Sequence, residues 1–220
     1  MRGIRLSLLY ALVALLSALA GSQPVSAQPE WIGDLRHGGY VIVFRHGATY
    51  TDQAKTDPMS NPNKDPMSNP TSGKAAAGER QLNSEGRAQA KSIGEAMHKL
   101  AIPVSMVTTS PLQRAVDTGK LLGFGEVAAN PDLAEAGAAL SAEENNRRAA
   151  AFRKLVAATP SSGNLVLVTH KPNIMEAFGK DWSDLSEGEA SVFKPDGNGS
   201  YKLIVRIKAD EWSKLAQASN

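Results

Sequence analysis

Arg45, His46 and Gly47 follow directly on the apolar run Tyr40-Val41-Ile42-Val43-Phe44. An arginine carries a planar fork of donors that suits phosphate. A histidine changes charge near neutrality, and it can shuttle a proton or attack phosphorus. Glycine lets the backbone come close to an anion. These residue types describe phosphoryl chemistry, provided they emerge at the carboxyl end of a strand, where open α/β sheets bind ligands.

The same three residue types occur nine positions earlier as Arg36-His37-Gly38, ahead of the strand. There the side chains would emerge at the opposite end of the sheet. Arg36 and His37 are therefore read as turn or surface residues. Position relative to the strand, not the tripeptide, carries the inference.

Two further segments supply matching groups. Val104–Thr108 reads as a second strand, followed by Thr109-Ser110-Pro111, with Arg114 one turn into a helix that Pro111 starts. Asn164–Val168 reads as a third strand ending at Thr169-His170. In a parallel sheet these carboxyl ends share one edge, which brings two arginines and two histidines together. The first turns of the helices that follow add free N–H groups, which favour an anion. Each charge-assisted bond contributes about 1.5–3 kcal/mol.

The remaining elements build the scaffold. Ser84–Leu100 reads as a helix capped by Asn83 or Ser84. Ser141 and Glu144 form a capping box that opens a helix running to about Ala158. Glu189–Lys194, the Asp196–Gly199 turn and Tyr201–Ile207 form a hairpin. A terminal helix spans Asp210–Gln217. Alternating strands and helices predict a three-layer α/β sandwich with a mostly parallel central sheet and a C-terminal antiparallel hairpin.

Residues 48–80 interrupt this pattern as a proline-rich loop. Within it Asp57-Pro-Met-Ser-Asn-Pro62 recurs as Asp65-Pro-Met-Ser-Asn-Pro70. Four prolines in the two copies forbid helix and ladder alike.

The chain has 220 residues, enough for one domain with a sizeable core. Arg2 and Arg5, the apolar run Leu6–Ala20 and the small residues Val25-Ser26-Ala27 read as a secretory signal peptide over residues 1–27. That run falls short of the ~20 apolar residues a membrane span needs. The mature domain, residues 28–220, is expected to be periplasmic or secreted, without a stable membrane anchor. Cleavage removes two arginines and no acids, taking the formal net charge from +2 to zero. No bulk positive charge is then left to indicate a nucleic-acid partner. The absence of cysteine excludes disulfides and leaves no cysteine for lipid attachment.

Four ordered segments resemble the histidine phosphatase superfamily, also called phosphoglycerate-mutase-like. They are Phe44-Arg45-His46-Gly47-Ala48-Thr49, Arg80-Gln-Leu-Asn-Ser-Glu-Gly86-Arg87-Ala88, Ser110-Pro111-Leu-Gln-Arg114-Ala115-Val-Asp-Thr118, and Val168-Thr169-His170-Lys-Pro-Asn173-Ile174. The stretch Gly188-Glu189-Ala190, continuing to Pro195-Asp196-Gly197, is similar to small exported members. The resemblance implies the phosphoglycerate-mutase-like fold, with His46 as a transiently phosphorylated nucleophile. It implies that Arg45, Arg114 and His170 bind the phosphoryl oxygens, that a small phosphorylated molecule is the substrate, and that neither metal nor cofactor is required. Relatives place a glutamate in a Leu-x-Glu context that Leu133-Ala134-Glu135 matches, so Glu135 is the implied general acid, with Glu189 as a second candidate. The chain departs from the usual pattern after Glu135, where it reads Ala136-Gly-Ala-Ala-Leu140, and after the second histidine, where Lys171 replaces an acid. Arg80 and Arg87 are read as capping or salt-bridging residues, and Lys171 as a surface lysine.

The expected function is an exported, metal-independent phosphatase acting through phosphohistidine. The alternatives are a phosphotransferase or mutase, and a non-catalytic anion-binding protein on the same scaffold.

Overall fold

The computed structural model describes residues 28–55, 79–137 and 140–218. The expected signal peptide and the duplicated hexapeptides lie outside these residues.

In chain order the main elements are α1 (Glu30–His37), β1 (Val41–Arg45), α2 (Ser84–Lys99), β2 (Val104–Thr109), α3 (Gln113–Leu121), β3 (Val127–Ala129), α4 (Ala142–Ala157), β4 (Asn164–Thr169), α5 (Lys171–Phe178), β5 (Ala190–Pro195), β6 (Tyr201–Ile207) and α6 (Ala209–Gln217). Six strands form one sheet in the order β3-β2-β4-β1-β5-β6. The pairs β1–β4, β2–β4 and β2–β3 are parallel, whereas β1–β5 and β5–β6 are antiparallel. The sheet is mostly parallel at its centre and ends in the antiparallel hairpin, as expected.

Side chains alternate across a strand, and β1 is apolar throughout because helices cover both its faces. Ile42 and Phe44 pack with Ile93 and Met97 of α2 and Trp212 of α6. Val41 and Val43 pack instead with Phe152 and Val156 of α4 and Ile174 of α5. Helices on two faces of one sheet make three layers. Fully burying such a side chain contributes about 1.5–3 kcal/mol, so the position of β1, and with it His46, is firmly fixed.

Two local readings change, those of Pro111 and of the Ser141 capping box. Arg36 and His37 are exposed, as expected, and lie in the last turn of α1. Arg36 Nε donates to the Leu100 carbonyl at 2.8 Å, and His37 Nδ1 lies 2.9 Å from the Gly33 carbonyl. Helix α1 buries Ile32 and Leu35, but Pro29 precedes it and no side chain caps it, so it lacks a start signal. Pro111 does not start α3. The helix begins at Gln113 because the Ser110 hydroxyl accepts from the Leu112 N–H at 3.2 Å and holds a bend over residues 110–112. Ser141 caps α4 by accepting from the Glu144 N–H at 3.1 Å, but the Glu144 carboxylate binds Arg147 and Arg148 instead of completing a reciprocal box. Asn83 caps α2 as expected, accepting from Gly86 N–H at 2.8 Å.

Candidate active site

Backbone bonds tie the carboxyl ends of the central strands into one platform. His46 N donates to Thr169 O at 3.0 Å, Ser110 N to Val168 O at 2.8 Å, Arg45 N to Glu189 O at 3.0 Å, and Gly188 N to His46 O at 2.9 Å. The segments carrying Arg45-His46, Ser110 and His170 therefore meet at one edge of the sheet. The His46 and His170 rings lie 5.2 Å apart between centroids, tilted by 55°. Both histidines and Arg114 are buried.

His46 Nδ1 lies 2.8 Å from the Gly47 carbonyl oxygen. A carbonyl only accepts, so Nδ1 carries the hydrogen and the lone pair of a neutral ring sits on Nε2. Burial first, and then the charges of Arg114, Arg45 and Arg80, push the His46 imidazole well below the usual histidine range; the bond to Gly47 opposes them. Burial and Arg114 do the same to His170, helped by His46, Arg80 and Arg45. Near neutral pH both rings are uncharged, and His46 presents a nucleophilic lone pair.

Packing gives Gly47 a reason to be glycine. Its N–H is taken by the Thr118 hydroxyl at 3.0 Å, and that hydroxyl donates to Arg114 O at 2.7 Å. A Cβ on Gly47 would stand 2.7 Å from Gly86 O, and one on Gly86 only 2.0 Å from Ala48 O. The loop after β1 lies directly on the first turn of α2, and two glycines permit that approach.

Arg114 is the second residue of α3 and not a full turn in. Its Nη2 pairs closely with the Glu135 carboxylate, and its Nη1 lies 3.8 Å from Glu79 Oε1. Glu79 also accepts from the Gln113 N–H at the start of α3, where the helix dipole favours a negative charge. Arg45 donates through Nη1 to Leu185 O at 2.7 Å and places Nη2 3.4 Å from Glu187. Its buried Nε has no hydrogen-bond partner among the described residues. Burial lowers the Arg45 guanidinium from its ordinary value, against the pull of Glu187.

The structure thus brings His46, Arg45, Arg114, His170 and Glu135 into one cluster. Glu189 does not join it as a free acid. One of its oxygens binds Arg206 Nε at 2.7 Å, and the other accepts from the Ser186 N–H at 3.0 Å. Lys171 turns its amine to the Ser183 carbonyl, and Arg87 pairs with Asp117 at 2.9 Å. Arg80, read as a capping or salt-bridging residue, also brings its charge to bear on both imidazoles. Glu79 escaped the sequence reading, because it precedes Arg80 in a run with no motif of its own. Among the described residues no group of three or more His, Asp or Glu is placed to hold a metal.

A family model described as the histidine phosphatase superfamily (branch 1) matches residues 41–140. That span holds Arg45, His46, Arg114 and Glu135, and stops short of His170. No curated protein sequence matches the chain. Among solved structures, the protein histidine phosphatase SixA complexed with tungstate is 13% identical, with a TM-score of 0.52 over 78% of this chain and 98% of that one. A histidine-to-alanine mutant of phosphoserine phosphatase from Entamoeba histolytica, in complex with phosphoserine, is 14% identical, with a TM-score of 0.55 over 77% and 97%. The same phosphatase in complex with 3-phosphoglyceric acid gives 14% and 0.51 over 76% and 95%. At such identities the likeness is one of fold, and that fold is phosphoglycerate-mutase-like. The chain is thus similar to the histidine phosphatase superfamily in sequence over residues 41–140 and to these phosphatases in fold.

Proposed function

We propose that the protein is a phosphoric ester hydrolase working through a phosphohistidine. The observation that carries this reading is the His46 ring itself: uncharged, with Nδ1–H held by the Gly47 carbonyl and Nε2 left to attack, beside His170 and the guanidinium of Arg114. The Nε2 lone pair forms the N–P bond as the P–O bond to the leaving group breaks. Glu135 gives its proton to the leaving oxygen. Arg45, Arg114 and His170 hold the phosphoryl oxygens and offset the charge that builds on them. Water then attacks phosphorus, the N–P bond breaks, and the water's proton passes to Glu135. Splitting one displacement into two is what a covalent intermediate contributes.

The ion pair of Glu135 with Arg114 fits this cycle. A phosphoryl dianion arriving at Arg114 shares that guanidinium with the carboxylate, and the two anions repel. Uptake of a proton by Glu135 relieves the repulsion and arms the acid. In this reading the enzyme needs no metal, and residues 1–27 direct it to the periplasm or the exterior. The substrate is a small phosphorylated molecule.

Purified protein should release phosphate from an aryl phosphate and, after acid-free quenching, retain an alkali-stable, acid-labile phosphoryl group on His46. His46→Ala should abolish both. Phosphate binding without turnover of any ester would instead favour an anion-binding protein, and transfer to an added alcohol in excess of hydrolysis would favour a phosphotransferase.

A further inference from the structure

Ser110 Oγ lies 2.7 Å from His170 Nε2, and both residues are fully buried. The same hydroxyl already accepts from the Leu112 N–H at 3.2 Å. His170 Nδ1, the ring's other polar atom, is buried and has no hydrogen-bond partner among the described residues. A hydroxyl has one hydrogen to give, and a neutral imidazole has one N–H and one lone pair. These counts leave two arrangements.

In the first, Ser110 donates to Nε2, and the ring hydrogen sits on Nδ1. Every polar group of the pair is then satisfied except Nδ1–H, which remains a donor. In the second, Nε2–H donates to Ser110. The buried hydroxyl hydrogen then has no acceptor, and the Nδ1 lone pair has no donor. Leaving a buried group unpaired costs more than a made bond contributes, so the first arrangement is favoured. It is also the one suited to an anion, since Nδ1 offers a hydrogen rather than a lone pair.

We propose that Ser110 is a positioning residue that fixes His170 as its Nδ1–H tautomer, making the second histidine a neutral hydrogen-bond donor to the phosphoryl oxygens. The inference rests on the phosphatase reading for its purpose, but not for its geometry. Ser110 is suited to the task because its own backbone N–H is anchored on Val168 O at 2.8 Å, two residues before His170. One register of β2 against β4 therefore sets both partners. Charge on the ring is disfavoured by burial and by Arg114, which leaves the tautomer as the variable that decides whether His170 can donate.

Long-range proton–nitrogen correlation spectra of the 15N-labelled protein, with and without inorganic phosphate, test this directly. The expected His170 pattern is a pyrrole-type Nδ1 and a pyridine-type Nε2. In Ser110→Ala that preference should be lost, and kcat/KM on an aryl phosphate should fall roughly 10- to 100-fold, as for a lost hydrogen bond to a charged group. Ser110→Thr, which keeps the hydroxyl, should restore the tautomer and most of the rate. An Nε2–H tautomer in the unaltered protein overturns the proposal, whatever the variants do, and so does an unchanged tautomer in Ser110→Ala. If no ester is turned over at all, the phosphatase reading fails on its own, while the nitrogen shifts still decide the role of Ser110.

Discussion

Glu135 closes on Arg114 in an ion pair shielded from solvent, with Glu79 on the other side of the same guanidinium. Two carboxylates on one buried arginine make the charge balance of this site interdependent. Taking a charge out of water costs several kcal/mol, and only a partner at close range repays it. Arg114→Ala should therefore lower stability by about 3–5 kcal/mol, because it strands buried anions. Arg114→Ala combined with Glu135→Gln should recover part of that loss in urea unfolding. Equal midpoints for the single and double variants would show that the carboxylate does not depend on Arg114.

The paired imidazoles give stability a pH dependence of definite sign. His46 and His170 resist protonation in the folded protein, because burial and the neighbouring arginines disfavour the cation. In the unfolded chain they take up protons near pH 6.5. Below that value, and down to the lower folded values, the unfolded state binds more protons, so stability falls as the pH drops. The decline should approach about 1.4 kcal/mol per pH unit for each ring. Glu144, lowered to about 2 by its bonds to Arg147 and Arg148, loses its partners only in more acid solution and does not confuse the window. Urea midpoints between about pH 7.5 and about pH 5.5 check this; His170→Asn should remove one ring's share of the slope, and a flat profile would contradict it. The acid limb of kcat/KM, which reports the free enzyme, should likewise lie below the ordinary histidine value.

Much of this site was legible because strand ends are legible. An apolar run such as Val41–Phe44, followed by Arg45-His46-Gly47, says which end of a parallel strand carries the polar groups, and three such ends must share an edge. What the sequence did not reveal depends on contacts between distant segments. Glu79 becomes notable only once the chain returning from the 48–80 loop passes the start of α3. Glu189 reads as a usable acid in the sequence, but Arg206, seventeen residues on, holds it. The three residues of β3 are too few to show a period, and α1 carries no cap to announce it. Pro111 was misplaced because a proline suits both the first turn of a helix and the bend before it.

The contact between Gly47 and Gly86 should be intolerant of a single methyl group. A Cβ on Gly86 would overlap the Ala48 carbonyl at 2.0 Å, and both neighbours are backbone that cannot swing aside. Gly86→Ala must push residues 47–48 off α2 and carry His46 with them. A loss of about 1–3 kcal/mol is expected from the overpacking, with a fall in kcat larger than that in thermal stability would suggest. Gly33→Ala is the control, since nothing lies within 4 Å of a Cβ there, and it should leave kcat unchanged.

Arg36 and Arg45 sit in identical tripeptides, one in the last turn of α1 and the other at the carboxyl end of β1. Arg36 holds the carbonyl of Leu100, the residue after α2, and the side chain of Gln28, so Arg36→Ala should cost about 1 kcal/mol of stability and leave kcat/KM on an aryl phosphate intact. Arg45→Ala should lower kcat/KM by at least about 10-fold, as expected for the loss of a charge-assisted bond. Equal activity losses in the two variants would mean that the wrong tripeptide had been assigned to the site.

The two glutamates once in competition for the proton can be separated by the leaving group. An alkoxide is a poor leaving group and needs protonation as the P–O bond breaks, whereas a nitrophenolate leaves unaided. If Glu135 supplies the proton, Glu135→Gln should depress turnover of an alkyl phosphate by roughly 10²–10⁴-fold and that of p-nitrophenyl phosphate far less. Glu189 has both oxygens committed, to Arg206 and to the Ser186 N–H, and its carbonyl receives the Arg45 N–H. Its loss should therefore act through the loop that supports Arg45. Glu189→Gln should lower stability and depress both substrates by the same factor, leaving their ratio unchanged. A ratio that shifts in Glu189→Gln and not in Glu135→Gln would transfer the acid's role to the residue beside β5.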